Sequence, residues 1–119
     1  MKKSLILGLG LWLGACSFMD KPLEKQPKAT LMAGQKIAFS VEKGNCLACH
    51  QIEGGEFAGN IAPELKSLPS KFTDKSQLRA FVWDATKFNP NTSMPPFGRN
   101  KILTEDELTQ LVDYLWELK

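Results

Sequence analysis

The sequence predicts a small all-α domain. Apolar residues recur at helical spacing in three separate segments, and no run alternates with the period of two that a half-buried strand requires. The folded part is short. Once an N-terminal address and a polar tether are set aside, residues 30–119 remain of a 119-residue chain. A domain of that size has a marginal core and usually depends on disulfides, a metal or a cofactor. Three cysteines and one histidine are present. One cysteine lies in the address, so a disulfide framework is not expected, and something else must fill the centre.

Residues 1–15, MKKSLILGLGLWLGA, place two lysines before a stretch that is apolar or glycine from Leu5 to Ala15. A charged start and a short apolar run form a secretory signal, too short for a stable spanning helix. The run ends in Leu13-Gly14-Ala15-Cys16, which resembles a bacterial lipobox. That resemblance implies cleavage before Cys16 and acylation of its thiol, with a lipid bilayer as the anchoring surface on the periplasmic side. The alternative is an ordinary signal and a soluble periplasmic product. Residues 16–29 form the expected lipidated tether: Ser17 to Ala29 is polar, carries two prolines and has no period. Extended, it would let the domain stand up to about 40 Å from the lipid.

The domain proper is assigned to residues 30–119. Gly34, Ile37, Ala38 and Val41 mark one face of a first helix over 30–41, stopped by Lys43-Gly44. Glycines and prolines make 51–75 a loop with one short turn of helix. A second helix is expected from Ser76 to Lys87, with Leu78, Phe81, Val82 and Ala85 on one face and Asp74 or Ser76 as its cap. Asn89-Pro90-Asn91 ends it. The last helix opens on Thr104-Glu105-Asp106-Glu107, a capping box flanked by Leu103 and Leu108 as a hydrophobic staple. Leu108, Leu111, Val112, Leu115 and Leu118 then form its apolar stripe.

Cys46-Leu47-Ala48-Cys49-His50 is the C-x-x-C-H pattern of c-type haem attachment. Residues three apart on a helical turn share a face, so both thiols can reach the two vinyl groups along one side of a porphyrin. The next residue sets an imidazole over the iron. One haem c is therefore expected, bound covalently through Cys46 and Cys49. A thioredoxin-like pair would need a βαβ context, and a structural zinc site would need four ligands. A Cys46–Cys49 disulfide is the plainest alternative in an exported chain. His50, the one histidine, is the first axial ligand, so a second imidazole from this chain is impossible. Methionine is the usual sixth ligand. Met1 is removed, Met19 lies in the tether and Met32 suits packing. Met94 sits in Asn89-Pro90-Asn91-Thr92-Ser93-Met94-Pro95-Pro96-Phe97-Gly98, where three prolines restrict the loop. It is the expected thioether ligand. With both axial positions filled, one-electron transfer is the expected chemistry. The backbone carbonyl of Pro63 is the expected acceptor that orients His50.

The helix bearing Gly34, the C-x-x-C-H, the late methionine and the Leu111–Tyr114–Leu115–Leu118 helix together resemble a class I cytochrome c over residues 30–119. The resemblance implies that the first and last helices cross at Gly34. Gly44–His50, Gly59-Asn60-Ile61-Ala62-Pro63, the Asn89–Gly98 loop and Ile102-Leu103-Thr104 more narrowly resemble the SoxX family of sulfur-oxidation cytochromes. That likeness implies a SoxA-type cytochrome partner, a complex that conjugates thiosulfate to the SoxYZ carrier, and a downstream cytochrome c or oxidase. In it this chain is an electron-accepting subunit with no catalytic residue of its own. The lipid anchor departs from the many soluble relatives.

Composition excludes other classes. Hydrophobic residues make up 43% and charged residues 24%, ordinary globular usage. The 15 basic residues fall to 13 when Lys2 and Lys3 leave with the signal, matching the 13 acidic ones. No basic footprint for nucleic acid remains. The rival reading is a free-standing, lipid-tethered electron carrier feeding an oxidase or reductase; a haem sensor is a third.

Overall fold

A computed structural model describes residues 25–119. The signal segment, Cys16 and the tether up to residue 24 lie outside the described residues. Among the described residues the architecture is all-helical, with no strand: α1 Lys28–Phe39, α2 Lys75–Trp83 and α3 Glu105–Trp116, joined by loops that carry short 3-10 turns.

Helix α1 starts at Lys28, two residues inside the expected tether. The Pro27 carbonyl accepts the Thr30 and Leu31 amides at 3.0 and 3.2 Å, standing in for a side-chain cap. It ends at Phe39, and Gly34, Ile37 and Ala38 are buried on α3. Val41 was expected on the same stripe, but it lies past the helix end and is exposed. The Gly44 amide reaches back to the Ile37 carbonyl at 3.0 Å, which closes the turn before the attachment motif.

Helix α3 is the scaffold on which α1 and α2 pack. Its capping box is complete: Thr104 Oγ1 accepts the Glu107 amide at 3.2 Å, and the Glu107 carboxylate accepts the Thr104 amide at 2.9 Å. Leu103, Leu108, Leu111, Val112, Leu115 and Leu118 are all buried. The α1–α3 crossing is close enough to require glycine. A Cβ on Gly34 would stand 2.1 Å from the Gln110 carbonyl oxygen and 2.5 Å from Tyr114 Cβ. Phe39 meets the Tyr114 ring edge-on at 6.5 Å beside this crossing.

Helix α2 is shorter than its sequence period suggests. Asp74 caps it as expected, accepting the Gln77 amide at 2.9 Å. The helix stops at Trp83 instead of Lys87, and a separate 3-10 turn covers Ala85–Lys87. Asp84 is the cause. Its carboxylate accepts the Thr86 amide at 3.1 Å and the Thr86 hydroxyl, giving the backbone an alternative to the helix ladder.

Candidate functional site

The attachment motif begins on a left-handed residue. Asn45 has φ 48°, which asparagine tolerates, and Cys46–Ala48 then form a single 3-10 turn closed by the Cys49 and His50 amides on the Cys46 carbonyl. Neither cysteine is paired, and both are half-buried. No Cys46–Cys49 disulfide is formed. Burial pushes the Cys46 thiol up to about 11. Burial thus disfavours a thiolate at Cys46, the form in which a cysteine binds zinc. Among the described residues, no three His, Cys, Asp or Glu side chains converge as a metal cluster.

A loop from Gln51 to Leu65 is strapped over this turn. The Gly59 amide donates to the Leu47 carbonyl at 2.7 Å, Ala62 to Cys49 at 3.0 Å and Leu65 to Gln51 at 2.9 Å. Gly59 lies so close that a Cβ there would be 2.2 Å from the Ala48 carbonyl oxygen. The strap delivers Pro63 to the histidine: His50 Nδ1 lies 2.6 Å from the Pro63 carbonyl oxygen. A carbonyl can only accept, so Nδ1 carries the proton. That leaves Nε2 as the ring nitrogen that can serve a metal.

Met94 is half-buried against the core. Its amide donates to Thr92 Oγ1 at 3.1 Å, and the Thr92 amide donates to the Asn89 carbonyl at 3.1 Å. The end of α2 holds the far side of this loop. The break at Asp84 frees the Trp83 carbonyl, which accepts the Gly98 and Arg99 amides at 3.1 and 3.2 Å. Gly98 lies flat on the indole, where a Cβ would be 1.9 Å from the Trp83 ring. Arg99 then pairs with the buried Asp84 carboxylate at 2.9 Å. Bonds from Thr86 and the Arg99 charge hold the Asp84 carboxyl below the usual carboxylate range. This Asp84–Thr86–Arg99 anchor was not read from the sequence. Its one signal is Asp84 two residues before Thr86, the pattern of a helix N-cap inside what looked like a continuous helix.

Two unpaired cysteine sulfurs on one turn, an imidazole held through Nδ1 and a restrained thioether suit a covalently held haem. The family model for cytochrome c matches residues 31–119. The chain belongs to the cytochrome c family. This cytochrome carries one covalent haem c, with the Cys46–His50 motif as its attachment point. Membership places the domain on the exported side of the membrane. The cytochrome is 31% identical to cytochrome c-552 of Nitrosomonas europaea over 76% of its own length and 88% of that relative's. It is 33% identical to an uncharacterized lipoprotein of Aquifex aeolicus over 62% of its own length, and spans 36% of that protein. Among solved structures it resembles a chain in the crystal structure of SoxXA from P. pantotrophus. The TM-score is 0.66 and the identity 31%, over 74% of this cytochrome and 80% of that chain.

Proposed function

We propose that this cytochrome is the electron-accepting, SoxX-type subunit of a SoxAX-type complex that conjugates thiosulfate oxidatively to a SoxYZ-type carrier. The observation that carries this reading is the likeness to a SoxXA chain at 31% identity and TM-score 0.66. The Gly44–His50, Gly59–Pro63 and Asn89–Gly98 segments support it. In this reading Cys46 and Cys49 would hold the haem through thioethers, and His50 Nε2 and the Met94 sulfur would ligate its iron. The haem supplies reversible storage of one electron. A thioether ligand raises the potential relative to a second imidazole. The chain's residues keep that change small in structural terms. Pro63 fixes the imidazole tautomer, and the Thr92 and Trp83 contacts fix the Met94 loop, so neither ligand must move far.

Joining the terminal sulfur of thiosulfate to a cysteine thiolate forms one S–S bond and releases two electrons. This chain takes them one at a time and passes them to a downstream cytochrome c or oxidase. No side chain here serves as a separate nucleophile, since both cysteines of the domain belong to the haem. Cys16 is the proposed lipid anchor. The Leu13–Cys16 lipobox supports it, as does the likeness to a lipoprotein of Aquifex aeolicus.

The test is reduction of the oxidised cytochrome by thiosulfate, watched in the haem absorbance. Reduction that needs thiosulfate, the carrier and the SoxA-type subunit together is expected. A haem that stays oxidised with all three, yet exchanges electrons with an oxidase, favours the free-standing tethered carrier. The match to 88% of a cytochrome c-552 is the observation behind that second reading.

A further inference from the structure

Phe57 is out of place for a side chain that serves the fold. It is 101% exposed, so among the described residues none covers it. It also holds φ 54°, the left-handed region that glycine occupies readily and a bulky aromatic residue rarely does. Four residues on, Ile61 is 80% exposed. Both stand on the strap that is bonded to the attachment turn through Gly59–Leu47 and Ala62–Cys49. They are therefore held at set positions beside the thioether cysteines. Backbone strain of this kind clusters at functional positions, and Phe57 has no cover among the described residues.

The charge along this stretch of sequence is of one sign. No lysine or arginine occurs between Gly44 and Leu65. Glu42, Glu53 and Glu56 are exposed, and among the described residues none of them is in an ion pair. The cations that flank this stretch in sequence are engaged: Lys43 with Glu107 at 2.9 Å and Lys66 with Glu64 at 2.5 Å. An acidic rim is repelled by an anionic lipid surface, so the patch suits a protein.

We propose that Phe57 and Ile61 are the apolar anchors by which this cytochrome docks its haem-bearing partner subunit. That partner presents an apolar pocket ringed by lysine or arginine to the face that carries the Cys46–His50 turn. The inference rests on the SoxX-type reading and names the surface that reading requires. An aromatic anchor at the centre of a charged rim is the usual form of an interface hot spot. Docking on the strap brings the partner against the attachment turn, which shortens the path for an electron.

The experiment compares holo wild type with Phe57→Gly, the Phe57→Gly/Ile61→Ser double variant and Met32→Ser, an exposed apolar control on α1. Each is titrated against a purified SoxA-type cytochrome of the same organism, and against vesicles of neutral and of anionic lipid. Phe57→Gly relieves the left-handed strain, so its melting temperature and haem spectrum should be no worse than wild type. Its partner affinity should fall about tenfold, that of the double variant further, and that of Met32→Ser should not change. Wild-type affinity should also weaken with salt. Variants that bind the partner as tightly as wild type overturn the docking surface alone. So does an equal loss in Met32→Ser, or a loss confined to vesicle binding. Wild type that fails to bind the SoxA-type subunit at all overturns the SoxX-type reading and this surface with it.

Discussion

His50 owes its role to a residue thirteen positions away. The Pro63 carbonyl accepts a hydrogen bond from Nδ1 at 2.6 Å, and that single contact decides which nitrogen is left available to a metal. The motif and the proline were both legible in the sequence, because each is short and chemically specific. The straps that bring them together were not, since they run through the backbone amides of Gly59 and Ala62, which no side-chain pattern advertises. Phe57 escaped for a related reason. Its φ of 54° follows from closing the strap over the 3-10 turn, and phenylalanine gives no local sign of it. The residue that tests the site most sharply is Met94. Met94→Ala should open the sixth position, so that carbon monoxide binds readily to the reduced protein and the ferric spectrum shifts towards high spin. An unchanged low-spin spectrum with no carbon monoxide binding would reject Met94 as a ligand.

Helices α1 and α3 follow their sequence patterns because their signals are local. The Thr104–Glu107 capping box lies within one turn, and Gly34 sits where two backbones touch. Helix α2 departs because its end is decided by a distant partner. Asp84 gives up helical geometry to bond Thr86 and Arg99, and the freed Trp83 carbonyl becomes the dock for the Met94 loop. The periodicity of Leu78, Phe81, Val82 and Ala85 could not register that competition. A prediction about pH belongs to this element. The folded-state pKa of Asp84 is lowered, first by the Thr86 hydroxyl. Its contribution is therefore fully present above the ordinary carboxylate range, about 4, and is lost as pH falls through the lower folded value. Asp84→Asn should lower the thermal midpoint by a few degrees, in order of magnitude, at neutral pH. In melts at decreasing pH the gap to wild type should close in acid, where the wild-type carboxyl is protonated as well. A gap independent of pH would show that the Asp84 charge does not hold the loop. Glu107 is lowered in the same sense, first by its bond with Lys43, so the start of α3 should loosen over a similar acid range.

The molecule as a whole is organised as a frame for two loops, one with His50 and one with Met94. α3 carries α1 and α2, the strap hangs the attachment turn from one side, and the broken end of α2 holds the methionine loop. The small core explains why a covalent haem is part of the fold and not only a guest, since 90 residues without a disulfide bury little apolar area. The Asp84 anchor and the exposed strap lay beyond the reach of the sequence. Both depend on which segments meet in space, and the one local trace of the anchor is Asp84 two residues before Thr86. The central claim concerns a partnership, and it is tested by gentle purification of the tagged protein from its native membranes. The SoxX-type account predicts that it leaves the membrane only with detergent and brings a second haem-bearing subunit in equal amount. A cytochrome that emerges alone, with one haem and no partner at any salt concentration, would contradict it.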